Sequence, residues 1–138
     1  MGPSAVVHGS EQWFDMRLDL AVRRELDFVQ VDAFTPLAMA GNPAAVLFTQ
    51  RGGDEEWMQA VAMENNLSAT AFLERRHASG VADGEAWDIR WFTPGGEVAL
   101  CGHATLGSAH ALWDTGRVPT GTPISFHTRQ AGVLLCVP

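Results

Sequence analysis

The chain has 138 residues, of which 46% are apolar and 18% charged, the size and composition of one ordinary globular domain. Its formal charge is −7 and its nine basic residues, all arginine, are scattered, which argues against nucleic acid or an anionic membrane as a partner. The lack of lysine excludes Schiff-base and pyridoxal-phosphate chemistry, and the lack of tyrosine excludes a phenolic acid or base.

No targeting or membrane segment is indicated. The first ten residues have neither the basic start nor the apolar core of a signal peptide, and no apolar run approaches the ~20 residues that span a bilayer. The two cysteines, Cys101 and Cys136, could pair, but nothing else indicates an oxidising compartment. We therefore expect a cytoplasmic protein, and the histidine spacing indicates no metal site.

The N-terminal half alternates between strand, loop and helix patterns. Residues 1–26 form an extension whose alternating apolar residues indicate an extra strand, although a helical stripe also fits. Strands are predicted over 26–34 and 44–48, separated by a loop that is rich in proline and glycine. Asp54 is a typical helix N-cap, and Asn65-Asn66 can end that helix because asparagine tolerates the left-handed conformation.

The C-terminal half is predicted to place one helix among several strands. The strands cover 70–74, 86–92, 123–128 and 132–137, the last two as a closing hairpin, with a polar turn at 78–85 and a Pro-Gly-Gly loop at 93–97. Residues 102–114 form a helix so rich in small side chains that neighbouring backbones can approach it closely. We therefore place this helix in the middle of the domain, wrapped by strands.

Four segments in one order carry a resemblance to a known family. They are VDAFTPLAMAGNPAAVLF (31–48), ENNLSATAFLE (64–74), IRWFTPGGEVALCGHATLGSAHAL (89–112) and SFHTRQAGVLLCV (125–137). Together they resemble the N-terminal domain of PhzF-type phenazine-biosynthesis proteins, in the diaminopimelate-epimerase-like superfamily. The resemblance covers residues 27–138 and implies a single α+β domain, in which a curved mixed sheet encloses a central helix. This is half of the family's usual two-domain fold.

The resemblance also implies a chemistry and exposes one departure from it. Family members move a proton on carbon as isomerases or epimerases without metal or organic cofactor, in a cleft between two domains. In the PhzF branch a glutamate follows Asn-Leu-Ser and carries the proton, whereas here Asn66-Leu67-Ser68 is followed by Ala69. Since a methyl group cannot accept a proton, the chain is an engineered knockout, does different chemistry or is inactive.

The motif Cys101-Gly102-His103-Ala104-Thr105 supplies the other candidate residues. Related epimerases keep a cysteine base at the position of Cys101, and a helix N-terminus suits a thiolate. The first amides of the helix, at Gly102, His103 and Ala104, could hold a substrate carboxylate or an enolate. His103 is a candidate acid, because histidine is the side chain most often used for proton transfer. Cys101 could equally be inert packing, and His103 only a hydrogen-bonding group of the helix start.

Three further positions complete the predicted site. The resemblance makes Thr105 a substrate-binding residue together with Asn42, in the Gly-Asn-Pro loop, and Ser68. Asn42 could also be a plain turn residue, and Ser68 could only cap a strand end. Cys136 lies in a strand pattern and is assigned to the core, while His8, His77, His110 and His127 are interpreted as surface or structural residues.

Several functional hypotheses remain open. The first is a PhzF-type isomerase or epimerase of a small carboxylate-bearing metabolite, completed by a homodimer or by a second half-domain. An isologous dimer could set Cys101 of one copy opposite Cys101 of the other. The alternatives are a non-catalytic ligand-binding half-domain and a truncated or mutated fragment of a full-length enzyme. A cyclase that uses the cleft only for its shape is a further option, which no residue supports specifically.

Overall fold

The computed structural model describes residues 27–33, 41–49, 54–76 and 85–138, which form seven strands and two helices. The elements are β1 (Asp27–Ala33), β2 (Asn42–Thr49), α1 (Glu55–Asn65), β3 (Ala69–Arg75), β4 (Glu85–Thr93), β5 (Gly96–Val98), α2 (Gly102–Asp114), β6 (Ile124–His127) and β7 (Val133–Cys136). The extension at 1–26, most of the predicted loop before β2 and the polar turn before β4 lie outside the described residues.

The strands form one mixed sheet in the order β1-β2-β3-β4-β6-β7, with β5 paired to the end of β4. The pairs β2–β3 and β4–β6 are parallel, and the others are antiparallel. The β2–β3 register sets Ala44 opposite Ala69, so both strands start at the same edge of the sheet. The α+β class predicted above is confirmed, and the closing hairpin is present as β6–β7.

Helix α2 packs on one face of the sheet and α1 on the other. The α2 side is the larger core and contains alternate residues of β4, namely Trp87, Ile89 and Trp91, as the alternation predicted. The smaller core holds Phe72 and Phe92 beneath α1, with their rings edge to face at 5.5 Å between centroids. Because strand side chains alternate between faces, one sheet supplies both cores.

The predicted bounds of α2, residues 102–114, are confirmed, as is its burial. Its exposed residues recur every fourth position, at Gly102, Leu106, His110 and Asp114, so that one narrow stripe faces solvent and the other sides are covered. A Cβ atom added at Gly107 would lie 3.5 Å from a methyl group of Val31, which shows how closely the helix approaches β1. The small residues of α2 make this approach possible.

Local signals at the ends of the elements account for most of their bounds. Asp54 caps α1 by accepting a hydrogen bond from the Trp57 amide, and Asn66 ends the helix at φ 52°. The predicted loop at 93–97 was wrong at its end, because β5 already begins at Gly96. The Thr93 hydroxyl accepts from the Gly95 amide and donates to the Gly96 carbonyl, which closes a tight hairpin turn there.

Candidate functional site

The predicted site residues meet where β2, β3 and α2 begin. Because β2 and β3 run parallel in register, Pro43 near the start of β2 lies beside Ser68, which immediately precedes β3. The Ser68 hydroxyl donates to the Pro43 carbonyl oxygen at 2.9 Å. Asn42 is the first residue of β2, and its side chain is exposed at this same edge. Two segments that are distant in sequence therefore open onto the start of α2.

His103 joins the two halves of this site. Its Nε2 atom lies 3.1 Å from Ser68 Oγ, and its Nδ1 atom lies 3.4 Å from Cys101 Sγ. The imidazole thus bridges a hydroxyl and a thiol within a continuous hydrogen-bonded chain. Ser68 is exposed, while His103 and Cys101 are half-buried, so the chain runs from solvent to the edge of the core. We refer to Ser68, His103 and Cys101 as the Ser-His-Cys relay.

The helix start beside the relay has the features of an anion site. Cys101 is the N-cap residue in an extended conformation, and the Thr105 amide makes the first helical hydrogen bond to its carbonyl oxygen at 3.1 Å. The amides of Gly102, His103 and Ala104 precede that bond, so they have no partner within the helix. Gly102 is exposed, and a Cβ atom added there would meet nothing within 4 Å. Together with the helix dipole, these amides can attract a carboxylate.

Two residues of the predicted set have buried side chains. Ala104 is fully buried, and Thr105 is 5% exposed. The Thr105 hydroxyl donates to the Cys101 carbonyl oxygen at 2.8 Å, so its proton holds the N-cap residue in place. In this structure, therefore, Thr105 orients Cys101, and its predicted role as a substrate contact stays a prediction.

Ala69 is the residue that the resemblance matches to the family glutamate. It is fully buried and belongs to the same apolar cluster as Ala44, its partner across the strand pair, and Ala104. The side chain at residue 69 is therefore a buried methyl group, which cannot accept a proton. Proton acceptors at this edge of the described structure include Cys101 and His103 of the relay, and the carboxylate residue Asp32 lies on β1 opposite Pro43.

The second cysteine differs from the first. Cys136 is a buried residue of β7, as predicted, and burial raises the pKa of its thiol. The neutral thiol is therefore favoured at Cys136, which suits packing and not reactivity. His110 lies on the exposed stripe of α2, and His127 is half-buried in β6. His8 and His77 lie outside the described residues.

Sequence reasoning missed two features. The first is the Pro43 carbonyl oxygen, which accepts a hydrogen bond from the Ser68 hydroxyl. The Gly-Asn-Pro motif was the only sequence signal that pointed to this loop. The second is an ion-pair cluster in which Arg90 and Arg129 both contact Glu55 and Glu97. Both arginines also line a cavity of about 370 Å³. No local signal could have found the cluster, since Glu55 and Arg129 are 74 residues apart.

Within the described ranges, no group of three or more His, Cys, Asp or Glu side chains could hold a metal ion. No helix among the same residues is both long and apolar enough to cross a membrane.

Comparison with known proteins extends the family resemblance. The family model of the phenazine biosynthesis-like proteins, PhzC-PhzF, matches residues 31–135. An uncharacterised isomerase of Halalkalibacterium halodurans is 49% identical over 104 residues, which are 75% of this chain and 36% of that protein. An uncharacterised isomerase of Pseudomonas aeruginosa is 47% identical over 109 residues, or 79% of this chain and 39% of that protein.

Solved structures show the same fold. A PhzF-family phenazine biosynthesis protein of Enterococcus faecalis superposes with a TM-score of 0.70 at 38% identity, covering 80% of this chain and 39% of that one. A phenazine biosynthesis PhzC/PhzF protein of Clostridium difficile gives 0.68 at 38% identity, with 81% and 40% covered. The chain therefore spans well under half the length of the proteins that it matches.

Proposed function

We propose, because the chain belongs to the phenazine biosynthesis-like protein family, that it forms half of a cofactor-independent isomerase or epimerase. The substrate is a small metabolite with a carboxylate, and the reaction moves a proton on carbon. The chain provides one wall of the active-site cleft, at the starts of β2, β3 and α2. A second copy or a second half-domain provides the other wall.

The Ser-His-Cys relay is the observation that carries this proposal. With Ala69 in place of a carboxylate, Cys101 and His103 are the members of the relay that can accept and return a proton. The thiolate takes a proton from the carbon next to the substrate carboxylate and becomes a thiol. The electron pair of the broken C–H bond passes into the carboxylate as an enolate, and the thiol returns its proton to carbon.

The free amides of α2 favour this reaction where charge develops. A carboxylate at Gly102, His103 and Ala104 gains negative charge as the enolate forms, and amides fixed in a helix need no reorganisation to stabilise it. Removing one donor from a site of this kind typically costs 10²–10³ in rate. In the proposed mechanism these amides stabilise the enolate intermediate.

A partner for the chain is supported by the edge strand β7. Val133 and Leu135 are 58% and 67% exposed on one face of this strand, and Val137, just after the strand, is 63% exposed. An apolar stripe beside unpaired strand edges is typical of a surface that another element covers. Because the matched relatives are more than twice as long as this chain, a domain with the same fold is a fitting partner. Light scattering that shows only a monomer would exclude the two-copy assembly.

Solvent deuterium tests the reaction. We expect incorporation of deuterium at carbon when the chain, with a C-terminal half taken from a matched relative, is incubated in D₂O with amino acids, lactate, malate or vinylacetate. Cys101→Ala and His103→Ala should each reduce the incorporation at least tenfold, whereas Cys136→Ala, the buried cysteine, serves as the matched control. Incorporation that survives in Cys101→Ala would contradict the proposed role of the thiol.

The buried methyl group of Ala69 favours a second candidate, a non-catalytic half-domain that binds carboxylates. This protein would keep the anion site of α2 and lack a competent base. NMR titration with the same acids separates the two candidates, since binding without deuterium exchange supports the second.

The fragment hypothesis has its own test at residue 69. Ala69→Glu, combined with a C-terminal half, should restore exchange in a protein that has lost only its glutamate. If instead the relay is the natural base, this substitution leaves the Cys101-dependent exchange in place.

A further inference from the structure

The Ser68 hydroxyl has a single proton, and the structure shows where that proton goes. Ser68 Oγ lies 2.9 Å from the Pro43 carbonyl oxygen, which can only accept. The proton is therefore donated to Pro43. The second contact of the same oxygen, at 3.1 Å from His103 Nε2, must then be one in which Ser68 accepts. The donor is consequently the Nε2–H group of the imidazole.

This assignment fixes the other nitrogen of the ring. A neutral imidazole with its proton on Nε2 has a lone pair on Nδ1. Nδ1 lies 3.4 Å from Cys101 Sγ, so the thiol proton points to that lone pair. When the proton moves, the thiol becomes a thiolate and the ring becomes an imidazolium that still donates from Nε2 to Ser68. The contact with Ser68 thus persists on both sides of the transfer and strengthens when the ring is charged.

We propose that Ser68 is a positioning residue that, with the Pro43 carbonyl, holds His103 in the Nε2–H tautomer so that Nδ1 accepts the proton of Cys101. The inference deepens the proposed function, since it explains how a chain with Ala69 obtains its thiolate. It depends on the relay geometry and not on the identity of the substrate.

Exposure supports this role over simple packing. Ser68 is exposed, so the loss of its hydroxyl removes little buried surface and leaves the core unchanged. His103 would keep its place at the start of α2 but lose the acceptor that selects its tautomer. A hydrogen bond to a charged partner is strong enough to shift the equilibrium between the thiol and the thiolate–imidazolium pair about tenfold. We therefore expect Ser68→Ala to reduce the thiolate fraction of Cys101 by about that factor.

The test measures the alkylation rate of Cys101 by iodoacetamide at pH 7, followed by peptide mass spectrometry on the full chain. Ser68→Ala should react about fivefold to tenfold more slowly than the parent, and Ser68→Thr, which keeps the hydroxyl, should restore the rate to within about twofold. His103→Ala should slow the reaction at least as much, and adding Ser68→Ala to it should change nothing further. Cys136, buried in the same molecule, is the internal reference for global opening.

Nitrogen-15 NMR of the His103 ring gives the second readout. The parent and Ser68→Thr should show a protonated Nε2, and Ser68→Ala should show a mixture of tautomers. A Ser68→Ala variant that reacts as fast as the parent, or a parent ring protonated only on Nδ1, would overturn the inference. Neither measurement needs a substrate, so a failure of deuterium exchange with the relay effects intact would count against the proposed function alone.

Discussion

Replacement of Arg90 should cost more stability than replacement of any arginine in an exposed pair. The Arg90 side chain is 14% exposed, and its Nε and Nη2 atoms each contact one oxygen of Glu97 at 2.8 Å. Nη2 also contacts Glu55 at 2.7 Å, and the guanidinium lies over the ring of Phe92 at 5.3 Å. The residue therefore ties α1 to the β4–β5 hairpin. Arg90→Met keeps the apolar stem and removes only the charged group.

The magnitude follows from the exposure of each contact. The two-point contact with Glu97, which is 28% exposed, is worth about 1.5 kcal/mol, the low end for charged hydrogen bonds. The contact with Glu55, which is 59% exposed, is screened by solvent and adds little, and the ring of Phe92 adds about 0.5 kcal/mol. Arg129 remains to contact both carboxylates. We expect Arg90→Met to cost about 2 kcal/mol and to lower Tm by about 6–8 °C.

Thermal unfolding by circular dichroism checks this value, and Arg76→Met is the matched control. Arg76 contacts Asp88 through a single oxygen, with the two side chains 38% and 48% exposed, so its loss should cost about 0.5 kcal/mol. Salt at 1 M should erase the effect of Arg76→Met and leave most of the effect of Arg90→Met. Equal losses in the two variants would show that the cluster is no stronger than an ordinary surface pair.

Three further predictions concern stability. Asp54→Ala removes the cap of α1 and should cost about 1 kcal/mol in urea unfolding, with Asp54→Asn as the conservative control. Gly107→Ala should be neutral or stabilise by up to about 1 kcal/mol, because its new methyl group fits 3.5 Å from Val31, and a Tm loss beyond 3–4 °C would contradict that fit. The hydrogen bond from Arg129 is the largest factor that lowers the pKa of Glu55 below its ordinary 4.5. The ionised Glu55 therefore contributes its full stabilisation above pH 4.5, and this contribution is lost as the pH falls through the lower pKa of the folded state. In Glu55→Gln, Tm should consequently fall less steeply as the solution is acidified.

Signals within a few residues of each other predicted the local structure well. The cap at Asp54, the left-handed Asn66 and the alternation of Trp87 with Ile89 and Trp91 all depend on near neighbours, and all are confirmed. The bounds of α2 were predicted to the residue from its run of small residues and from Gly116 as the terminator, and Gly116 indeed adopts φ 76° after the helix. Rules that act over one turn or one strand can be applied without knowing the fold.

Contacts between distant segments could not be predicted in this way. Ser68 and His103 are 35 residues apart, and they meet only because β3 and α2 begin at the same edge. The resemblance made Thr105 a substrate contact, which stays a prediction, and no sequence signal showed that its hydroxyl donates to the Cys101 carbonyl oxygen. A motif identifies which residues gather at a site, but the backbone path decides which atom of each residue faces the ligand.

The number of proton-carrying groups at the site limits the stereochemistry of the reaction. In the proposed reaction, Cys101 and His103 are hydrogen-bonded to each other and act as one proton-carrying unit. A single unit returns a proton to the face of the substrate from which it took it, so we expect the chain alone to exchange a proton without inverting the centre. Inversion needs a donor on the opposite face, which the partner half must supply.

We expect the chain alone to exchange substrate hydrogen for solvent deuterium with retained configuration, and any racemisation to appear only with a second half bound. Chiral chromatography of the exchanged acids measures both outcomes when it is repeated at protein concentrations below and above the one at which the chain dimerises. Racemisation by the monomer would require a second proton donor within this chain and would contradict the one-unit site. Racemisation that rises with dimer concentration would instead identify the partner's face as the source of the second proton.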